Sequence, residues 1–440
     1  MPYPTSPFNE NFNYKLINSL LVELDYDNKI SNEELMFTLK WLCSSPKMTT
    51  IRVNTLKNNV QNVLHILRQF LKETKMYIHH CLSNVVVIEN TALCEELEKH
   101  EKEVIVDTEC ASAVLRGAHI YAPGVLGMVA GCQLNEDVSI YADIAKKCKK
   151  GFQKVYDSTS KIHIGNGKIK MQRHHLFSTK NIQYNGVAVE VSKTISGCPT
   201  INENILPAGD ILLQNIPSIL CVKTLNPKRG SVVIDLCASP GNKTTYIAEL
   251  MENKGVIIAI DKTPKKVSQL QERCENFGAN VKVYQADSTT IIIESQTSSR
   301  TVEDGPPFLP ESFDNVLLDA PCSVLGKRPQ LANRMSENEI KSYVPLQRKL
   351  FETATKLLKP GGTMVYSTCT ITLAENEGII AWALRTFNFI ELLKPPLNLG
   401  EPGWIGTSLT EEQRNFVQRF GPNSKIDSVG FFFAYFRKKS

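Results

Sequence analysis

VVIDLCASPGNKT, residues 232–244, runs from an apolar, β-branched segment through a Pro-Gly turn into a helix that begins near Lys243. The same grammar repeats downstream. Val256 to Ile260 is a second apolar run, followed by a helix over 263–277 and a strand over 281–285. Val316 to Leu318 and Met364 to Tyr366 continue the series, with helices over 337–358 and 373–386, and Phe431 to Phe436 supplies a last strand. Apolar strands alternating with helices predict a parallel sheet covered on both faces, a doubly wound α/β domain. Two stretches interrupt it. Residues 288–312 are polar and read as an excursion between strands, while 394–429, rich in Gly, Pro and Asn, predict a surface segment draped near a cleft.

Upstream the pattern differs, and 440 residues leave room for about two to four domains. Residues 9–45 read as helical, with Phe12, Leu16, Leu20, Leu21 and Leu24 at three- and four-residue steps. Thr50 to Leu56 and Val85 to Ile88 are short strands around an amphipathic helix near Val60 to Phe70, a small α+β unit ending near residue 100. From Glu103, short β runs at 119–125, 138–143, 161–167 and 187–192 suggest a compact β barrel or sandwich.

Composition narrows the class. Apolar residues at 42% and charged residues at 22% are ordinary for a globular protein, and 24 Gly with 22 Pro exclude a collagen-like or wholly disordered chain. The longest apolar runs, such as Ile216 to Val222, fall short of a membrane span, and MPYPTSPFNENFNYK lacks the build of a secretory signal. A soluble, cytoplasmic protein with no membrane partner is the expectation. The twelve cysteines include no C-x-x-C pair and mostly sit singly in apolar stretches, as Cys43, Cys221 and Cys237 do. Reduced thiols are therefore expected, and structural zinc is not. The net charge of +5 is uneven: the span from Lys146 to Lys180 holds ten basic residues and one acid, Asp157, for +9 against −4 elsewhere. A charge run is often only a solvated face, yet its concentration in one unit favours a polyanion, nucleic acid first.

The chemistry-bearing residues stand at strand ends. The loop after Asp235 lacks G-x-G-x-x-G, which removes a nicotinamide dehydrogenase from consideration. Gly241 opening into a helix lets backbone N–H groups approach a ligand. Asp261, twenty residues on, ends the second strand where a carboxylate can bind a ribose diol, and Asp287 ends the third, in reach of an adenine. Asp261 could instead cap the following helix, and Asp287 could initiate a turn. A ribose-binding acid without a pyrophosphate loop suits an adenosine cofactor that has no phosphates, and S-adenosylmethionine fits best. The fourth strand ends Leu317-Leu-Asp-Ala-Pro-Cys-Ser323 and the fifth Tyr366-Ser-Thr-Cys-Thr370, so Cys322 and Cys369 should face the same crevice. A single Cys is usually a small buried hydrophobe; two at adjacent strand ends, one after Asp-Ala-Pro, point to chemistry.

DLCASPGNKT (235–244), Asp261, Asp287, DAPCS (319–323), YSTCT (366–370), ENE (375–377) and GFFFA (430–434) together resemble the Sun-domain family of RNA (cytosine-5) methyltransferases. RVNT (52–55) and LQNIPS (213–218) look like further landmarks of it. LRGAHIYAPGV (115–125) and IGNG (164–167) resemble a PUA RNA-binding domain inserted in the amino-terminal half. That arrangement is similar to the sixth branch of the family, which methylates tRNA at cytosine 72 beside the CCA end. The resemblance implies a class I methyltransferase, Rossmann-like catalytic domain over 226–440 and a β-barrel PUA domain over 103–194. It also implies a helical and RRM-like unit over 1–102, completed by about 195–225.

Roles follow from the same resemblance. Cys369 would add to cytosine C6 as the nucleophile, and Cys322 would assist breakdown of the protein–RNA adduct. Asp319 would hydrogen-bond the N3/N4 edge of the base and Lys243 would position the ring. Cys237, Ala238, Pro240, Gly241 and Lys243 would surround the methionine moiety of S-adenosylmethionine, with Asp261 at the ribose, Asp287 near the adenine and Asp319 in the same pocket. The implied partners are the acceptor stem and CCA end of tRNA, with mRNA as a second RNA class and no metal. Candidate RNA contacts are Arg116, His119, Tyr121, Lys146, Lys147, Lys149 and Lys150. The lysines would meet phosphates; His119 and Tyr121 could stack on CCA bases or equally fill the barrel core.

Three positions depart from the family pattern: Ser239 stands for Ala, Asn242 for the second Gly of the loop, and Val324 for the Gly after Cys-Ser. Asn tolerates a left-handed backbone, so the turn at 242 is expected to survive with some crowding near the methionine tail. Val resists a positive φ, so the Cys322 loop is expected to shift if one is required there. Two readings compete: an active tRNA methyltransferase, favoured by retention of both thiols, and a catalytically impaired RNA-binding relative that uses the PUA domain.

Overall fold

The computed structural model describes residues 4–8, 31–72, 74–91, 96–156, 159, 161–177, 185–201, 205–293 and 300–440. The helical pattern at Phe12, Leu16, Leu20, Leu21 and Leu24 lies outside these residues. A helix over Asn32–Cys43 follows it, opened by a capping box in which Ser31 and Glu34 satisfy each other's backbone N–H groups.

The amino-terminal unit is a four-stranded antiparallel sheet in the order Ile211–Leu213, Met48–Val53, Val85–Glu89, Met76–Ile78. The helix Val60–Phe70 stands where its periodicity predicts, and Val63, Leu64 and Leu67 pack on Ile51, Val53, Val86 and Ile88. Its fourth strand arrives only after the second unit has been traversed. That second unit is one six-stranded sheet, ordered Ile120–Tyr121, Val187–Thr194, Lys161–Ile169, Asp137–Asp143, Glu103–Val106, Val125–Met128. All six strands feed a single core that includes Val104, Ile120, Val125, Ile140, Ile164 and Val189, so the two-sheet sandwich alternative is not what forms. The strand expected over 119–125 is broken after Tyr121, because Pro123 has no N–H for a ladder and 122–124 make a tight turn instead.

The carboxy-terminal unit holds eight strands: β1 Val232–Asp235, β2 Val256–Asp261, β3 Lys282–Gln285, β4 Phe313–Asp319, β5 Leu358–Thr368, β6 Ile390–Leu393, β7 Val417–Phe420 and β8 Phe431–Lys438. Among the described residues six α-helices accompany them: α1 Ile216–Leu225, α2 Asn242–Leu250, α3 Pro264–Phe277, α4 Glu337–Leu357, α5 Glu377–Thr386 and the short α6 Glu411–Phe416. The sheet order is β3-β2-β1-β4-β5-β8-β6, with β7 also on β8. Strands β1 to β5 are parallel as expected, but β8 runs antiparallel to β5, and β6 and β7 share its far edge end to end. The sheet is therefore mixed rather than purely parallel.

Alternation along the strands loads both faces. Ile234, Val316, Leu318, Met364, Tyr366 and Phe432 meet Phe351 and Ala354 of α4 and Ile379 and Ile380 of α5. Val233, Leu317, Val365 and Phe433 face Ile219 and Leu220 of α1 and Tyr246 and Ile247 of α2. The segment 394–429 is no mere surface drape, since it contains β7. Arg419 of β7 is fully buried because Glu377 pairs with two of its guanidinium nitrogens, Nε at 2.7 Å, and Ile371 O accepts from Nη1 at 2.9 Å.

Two buried arginines lock the amino-terminal unit onto this frame. Arg52 donates to Thr245 Oγ1 at 2.9 Å and lies 3.8 Å from Glu249, both on α2. Arg328 donates to Trp41 O at 2.8 Å and Ser44 Oγ at 2.9 Å while pairing with Asp427. The first of these is the RVNT landmark, whose Asn54 also reaches Phe277 O at 2.8 Å.

Candidate active site

Asp319 and Ser367 are register partners at the carboxyl ends of β4 and β5, so the residues just beyond them emerge together. Cys322 Sγ and Cys369 Sγ are 3.4 Å apart. The backbone holds this pair closely: Gly326 N–H donates to Cys369 O at 3.0 Å, and Gly430 N–H donates to Gly326 O at 2.7 Å. A Cβ at Gly326 would sit 2.1 Å from Gly430 O and 2.8 Å from Cys369 O, so only glycine allows the approach.

Two of the three family departures, Val324 and Asn242, behave in opposite ways. Val324 adopts φ 55°, so the Cys322 loop makes a left-handed turn there despite the β-branched residue, at a strain of about 1–2 kcal/mol. At the cofactor loop the left-handed residue is Gly241, φ 102°, and Asn242 already belongs to α2. No left-handed Asn is needed. Its side-chain oxygen is instead buried without a hydrogen-bond partner.

The hydrogen bond between the thiols separates their acidities. It holds Cys369 below the ordinary thiol range, where burial and the Asp319 charge oppose it and Lys243 assists. The same contact pushes Cys322 well up, helped by burial and by the charges of Cys369 and Glu375. Cys322 therefore keeps its proton and donates, while Cys369 tends to thiolate, the nucleophilic form. Beside them Lys243 Nζ donates to Asp319 Oδ2 at 2.7 Å and Ser367 Oγ to Asp319 Oδ1 at 2.6 Å. Burial works against the Lys243 charge, but Asp319, Cys221 and Cys369 outweigh it and hold the ammonium above its usual range.

The tips of β1 to β3 carry the acids. Asp261 is buried and accepts from Ser239 N–H at 3.1 Å and Lys262 N–H at 2.8 Å. It does not cap the next helix, whose N-cap position is Thr263. Asp287 does initiate a turn: Thr290 N–H donates to its carbonyl, and its carboxylate takes Thr289 and, at 2.8 Å, Lys262 Nζ. Lys262 first and Thr289 second hold that carboxyl down to about 2. Cys237 and Ala238 lie between, with Ala238 N–H on Ile260 O at 2.9 Å, followed by Pro240 and Gly241 at the mouth of α2.

Asp235, Ser367 and Glu375 also belong to the site, and the sequence reading gave them no role. Thr244 Oγ1 donates to Asp235 Oδ2 at 2.7 Å, yet Oδ1 is buried unpaired, and burial pushes the carboxyl up to about 7. The strand period was the available signal for Ser367, which shares a strand face with Cys369 two residues on. Asp235 and Glu375 stand inside quoted motifs, but nothing local marks an orphaned oxygen or a buried clamp.

The RNA candidates sit elsewhere, in the six-stranded unit. Lys146, Lys147, Lys149 and Lys150 are exposed just after Asp137–Asp143. Tyr121 is 53% exposed, which settles it as a surface ring rather than core. His119 is half-buried and its Nδ1 accepts from Val191 N–H at 3.1 Å. Arg116, half-buried, donates to Pro329 O at 3.3 Å beside a cavity of about 380 Å³ that Thr49, Cys198, Gln214 and Arg328 also line. Among the described residues no group of three or more His, Cys, Asp or Glu could hold a metal ion. No described helix is long and apolar enough to cross a membrane.

Residues 222–437 match the family model described as 16S rRNA methyltransferase RsmB/F. The mouse tRNA (cytosine(72)-C(5))-methyltransferase NSUN6 is 41% identical over 402 residues, spanning 88% of this chain and 83% of the mouse protein. The chain belongs to the RsmB/F, or Sun-domain, family. It is an RNA (cytosine-5) methyltransferase that uses S-adenosylmethionine. The human protein of the same name as the mouse one is 39% identical, over 91% of this chain and 90% of its own length. The crystal structure of NSun6 from Pyrococcus horikoshii with SFG superposes with a TM-score of 0.75 at 28% identity, covering 99% of this chain and all of that one. The α/β methyltransferase fold with a mixed sheet is common to both.

Proposed function

We propose that this Sun-domain enzyme methylates C5 of cytosine 72 in the tRNA acceptor stem, next to the CCA end. The thiol pair at 3.4 Å carries the reading, because a nucleophile with a second thiol in contact suits covalent attack and release at one carbon–carbon bond. The substrate assignment draws on the relatives named for cytosine 72, to which this chain is similar along most of its length.

The residues fit the cofactor. Asp235 offers a buried, unpaired carboxylate oxygen of the kind an ammonium group satisfies. Asp261 has two of its acceptor sites used by backbone N–H groups and others left for ribose hydroxyls. Asp287 would stand near the adenine, and Cys237, Ala238, Pro240, Gly241 and Lys243 would hold the methionine end. Bound S-adenosylmethionine supplies an electrophilic methyl group.

The chain's own residues do the rest. Cytosine C5 is a poor nucleophile, and addition of the Cys369 thiolate to C6 makes it enamine-like. Asp319, fixed by Lys243 and Ser367, hydrogen-bonds the N3/N4 edge of the base. Once its sulfur is bonded to C6, Cys369 no longer carries the charge that kept the proton on Cys322, and Cys322 ionises more readily. With the methyl group on C5, Cys322 passes its own proton to water and takes the C5 proton; the C5–H pair becomes the C5=C6 bond as the C6–S bond breaks and thiolate returns to Cys369.

Residues 103–194 act as a PUA domain on the tRNA end, with 1–102 and about 195–225 as an RRM-like unit and 226–440 as the catalytic domain. Lys146, Lys147, Lys149 and Lys150 meet phosphates, and Arg116, His119 and Tyr121 face the CCA bases. A terminal acceptor pair is a cheap place to extrude a base, at a few kcal/mol. An mRNA that mimics this end is a second substrate class, and the setting is the cytoplasm.

Labelled-methyl transfer to tRNA, run with a denaturing gel for adducts, tests the proposal. Wild type should transfer, Cys369→Ala should not, and Cys322→Ala should trap a protein–RNA band. A wild-type chain that binds CCA-ended tRNA but transfers nothing would make it an impaired RNA-binding relative.

A further inference from the structure

The ENE motif contains a buried carboxylate that touches neither thiol nor any cofactor-loop residue. Glu375 is 1% exposed, and four hydrogen bonds reach its two oxygens: from Ser323 N–H at 3.0 Å, Ser323 Oγ, Gln347 Nε2 at 2.9 Å and Thr372 Oγ1 at 2.8 Å. Two of the donors belong to the residue directly after Cys322. Gln347, on α4, also donates to Pro321 O at 2.9 Å, directly before Cys322. Ser323 Oγ further shares a hydrogen bond of 2.8 Å with Thr370 Oγ1, directly after Cys369. Tyr366 O–H donates to the Glu375 backbone carbonyl at 2.7 Å and fixes the carboxylate's own root.

This clamp closes on a loop that would not hold its shape unaided. Val324 sits at φ 55°, a conformation a β-branched residue leaves when nothing holds it. Cys369 needs no such help, because Thr368 beside it is still paired with Phe432 of β8. We propose that Glu375 is a positioning residue for Cys322: it holds the strained loop so that this thiol reaches the adduct, while Cys369, slowed once its hydrogen-bond donor moves, still attacks. The inference rests on the release role given to Cys322 above.

Glutamine is the decisive substitution. It keeps the size of Glu375, yet its NH₂ is a donor set against donors, so at least one of the four bonds is lost. Four proteins are compared with S-adenosylmethionine and CCA-ended tRNA: wild type, Cys322→Ala, Glu375→Gln and Glu375→Gln with Val324→Gly. First-turnover adduct formation by Glu375→Gln should lie between wild type and Cys322→Ala, since the thiol donor that keeps Cys369 acidic moves with the loop. Its multiple-turnover methylation should fall on the order of tenfold, the scale of one hydrogen bond to a charged group, with the adduct band accumulating as in Cys322→Ala. Glycine at 324 removes the strain the clamp resists, so the double variant should regain turnover and lose the band. A part that was merely structural would not be rescued this way.

Wild-type turnover in Glu375→Gln, or joint loss of adduct and turnover that Val324→Gly does not repair, overturns the inference. If Glu375→Gln does not fold, Gln347→Leu removes one clamp donor and must shift the adduct band in the same direction, or the inference fails. If Cys322→Ala traps nothing while wild type methylates, the release role of Cys322 is what fails, and the clamp falls with it.

Discussion

Lys243 Nζ lies 2.7 Å from Asp319 Oδ2, and Ser367 Oγ occupies the other carboxylate oxygen at 2.6 Å. A helix residue and a strand-end residue thereby fix one carboxylate in orientation. Lys243→Met leaves that carboxylate with one partner and free to rotate. Single-turnover methyl transfer should drop by about 10–100-fold, the cost of a misplaced contact at a reacting base. Ser367→Ala should cost less, since the ammonium remains. A Lys243→Met enzyme as fast as wild type would remove Asp319 orientation from the mechanism.

Alkylation reads the acidity of the thiols directly. Cys369 is held below the ordinary thiol range first by the hydrogen bond from Cys322. Iodoacetamide labelling of Cys369, followed by mass spectrometry against pH, should therefore show a midpoint below that of a free cysteine. Cys322→Ala deletes the donor, so the midpoint should rise and labelling at neutral pH should slow. A midpoint that stays put or falls contradicts the direction of the hydrogen bond.

Gly326→Ala places a methyl group against two backbone carbonyls at 2.1 and 2.8 Å. Backbone cannot swing aside as a flexible side chain can, so the Cys369 loop and the start of β8 must part. Chemical denaturation should show a loss of roughly 1–3 kcal/mol, the usual cost of overpacking. The adduct should be lost with it. Retention of both would mean that the close approach of Gly326, Gly430 and Cys369 is dispensable.

Asp235 gives a pH signature of its own. Its carboxyl is pushed up to about 7 in the folded chain against an ordinary 3.8, chiefly by burial. Between those values the folded state holds a proton the unfolded chain has released, so stability falls as pH rises through the window. Without cofactor, melting temperature should decline over that range in wild type, and Asp235→Asn should flatten the decline and melt higher at pH 8. The same variant should bind S-adenosylmethionine more weakly by calorimetry. A melting profile unchanged by the substitution would show that Asp235 titrates normally.

The parallel half of the catalytic sheet was legible because its strands are apolar runs that end in Asp or Cys, a pattern that needs no partner to be seen. Of the antiparallel edge only the strand at Phe431 to Phe436 was, and its direction was not. Val417-Gln-Arg-Phe420 reads as polar chain, and its burial depends on Glu377, far off in sequence, being there to pair with Arg419. The thiols, Asp319 and the acids at 261 and 287 could be picked out singly. The turn at Asp287 was among the sequence alternatives, because Thr289 and Thr290 are local partners, whereas the tie from Asp261 to the Ser239 loop depends on a three-dimensional neighbour. The family departures were visible as letters only. Which of Asn242 and Val324 must bear a left-handed backbone is set by where α2 begins and by the contacts around Gly326.

The amino-terminal sheet is completed by Ile211–Leu213, which pairs with Met48–Val53 from the far side of the six-stranded insertion. On the ribosome, that central strand is made long before its neighbour exists. At about 5–20 residues per second, the 122 residues from Glu89 to Ile211 impose a delay of roughly 6–24 seconds. For that interval Met48–Val53 is an open edge, and such edges recruit foreign strands. The inserted unit, whose strands all lie between Glu103 and Thr194, can fold within the interval and bring the two flanks of the gap together before the closing strand emerges. In the order of synthesis the six-stranded insertion is thus a brace between a late strand and an early one.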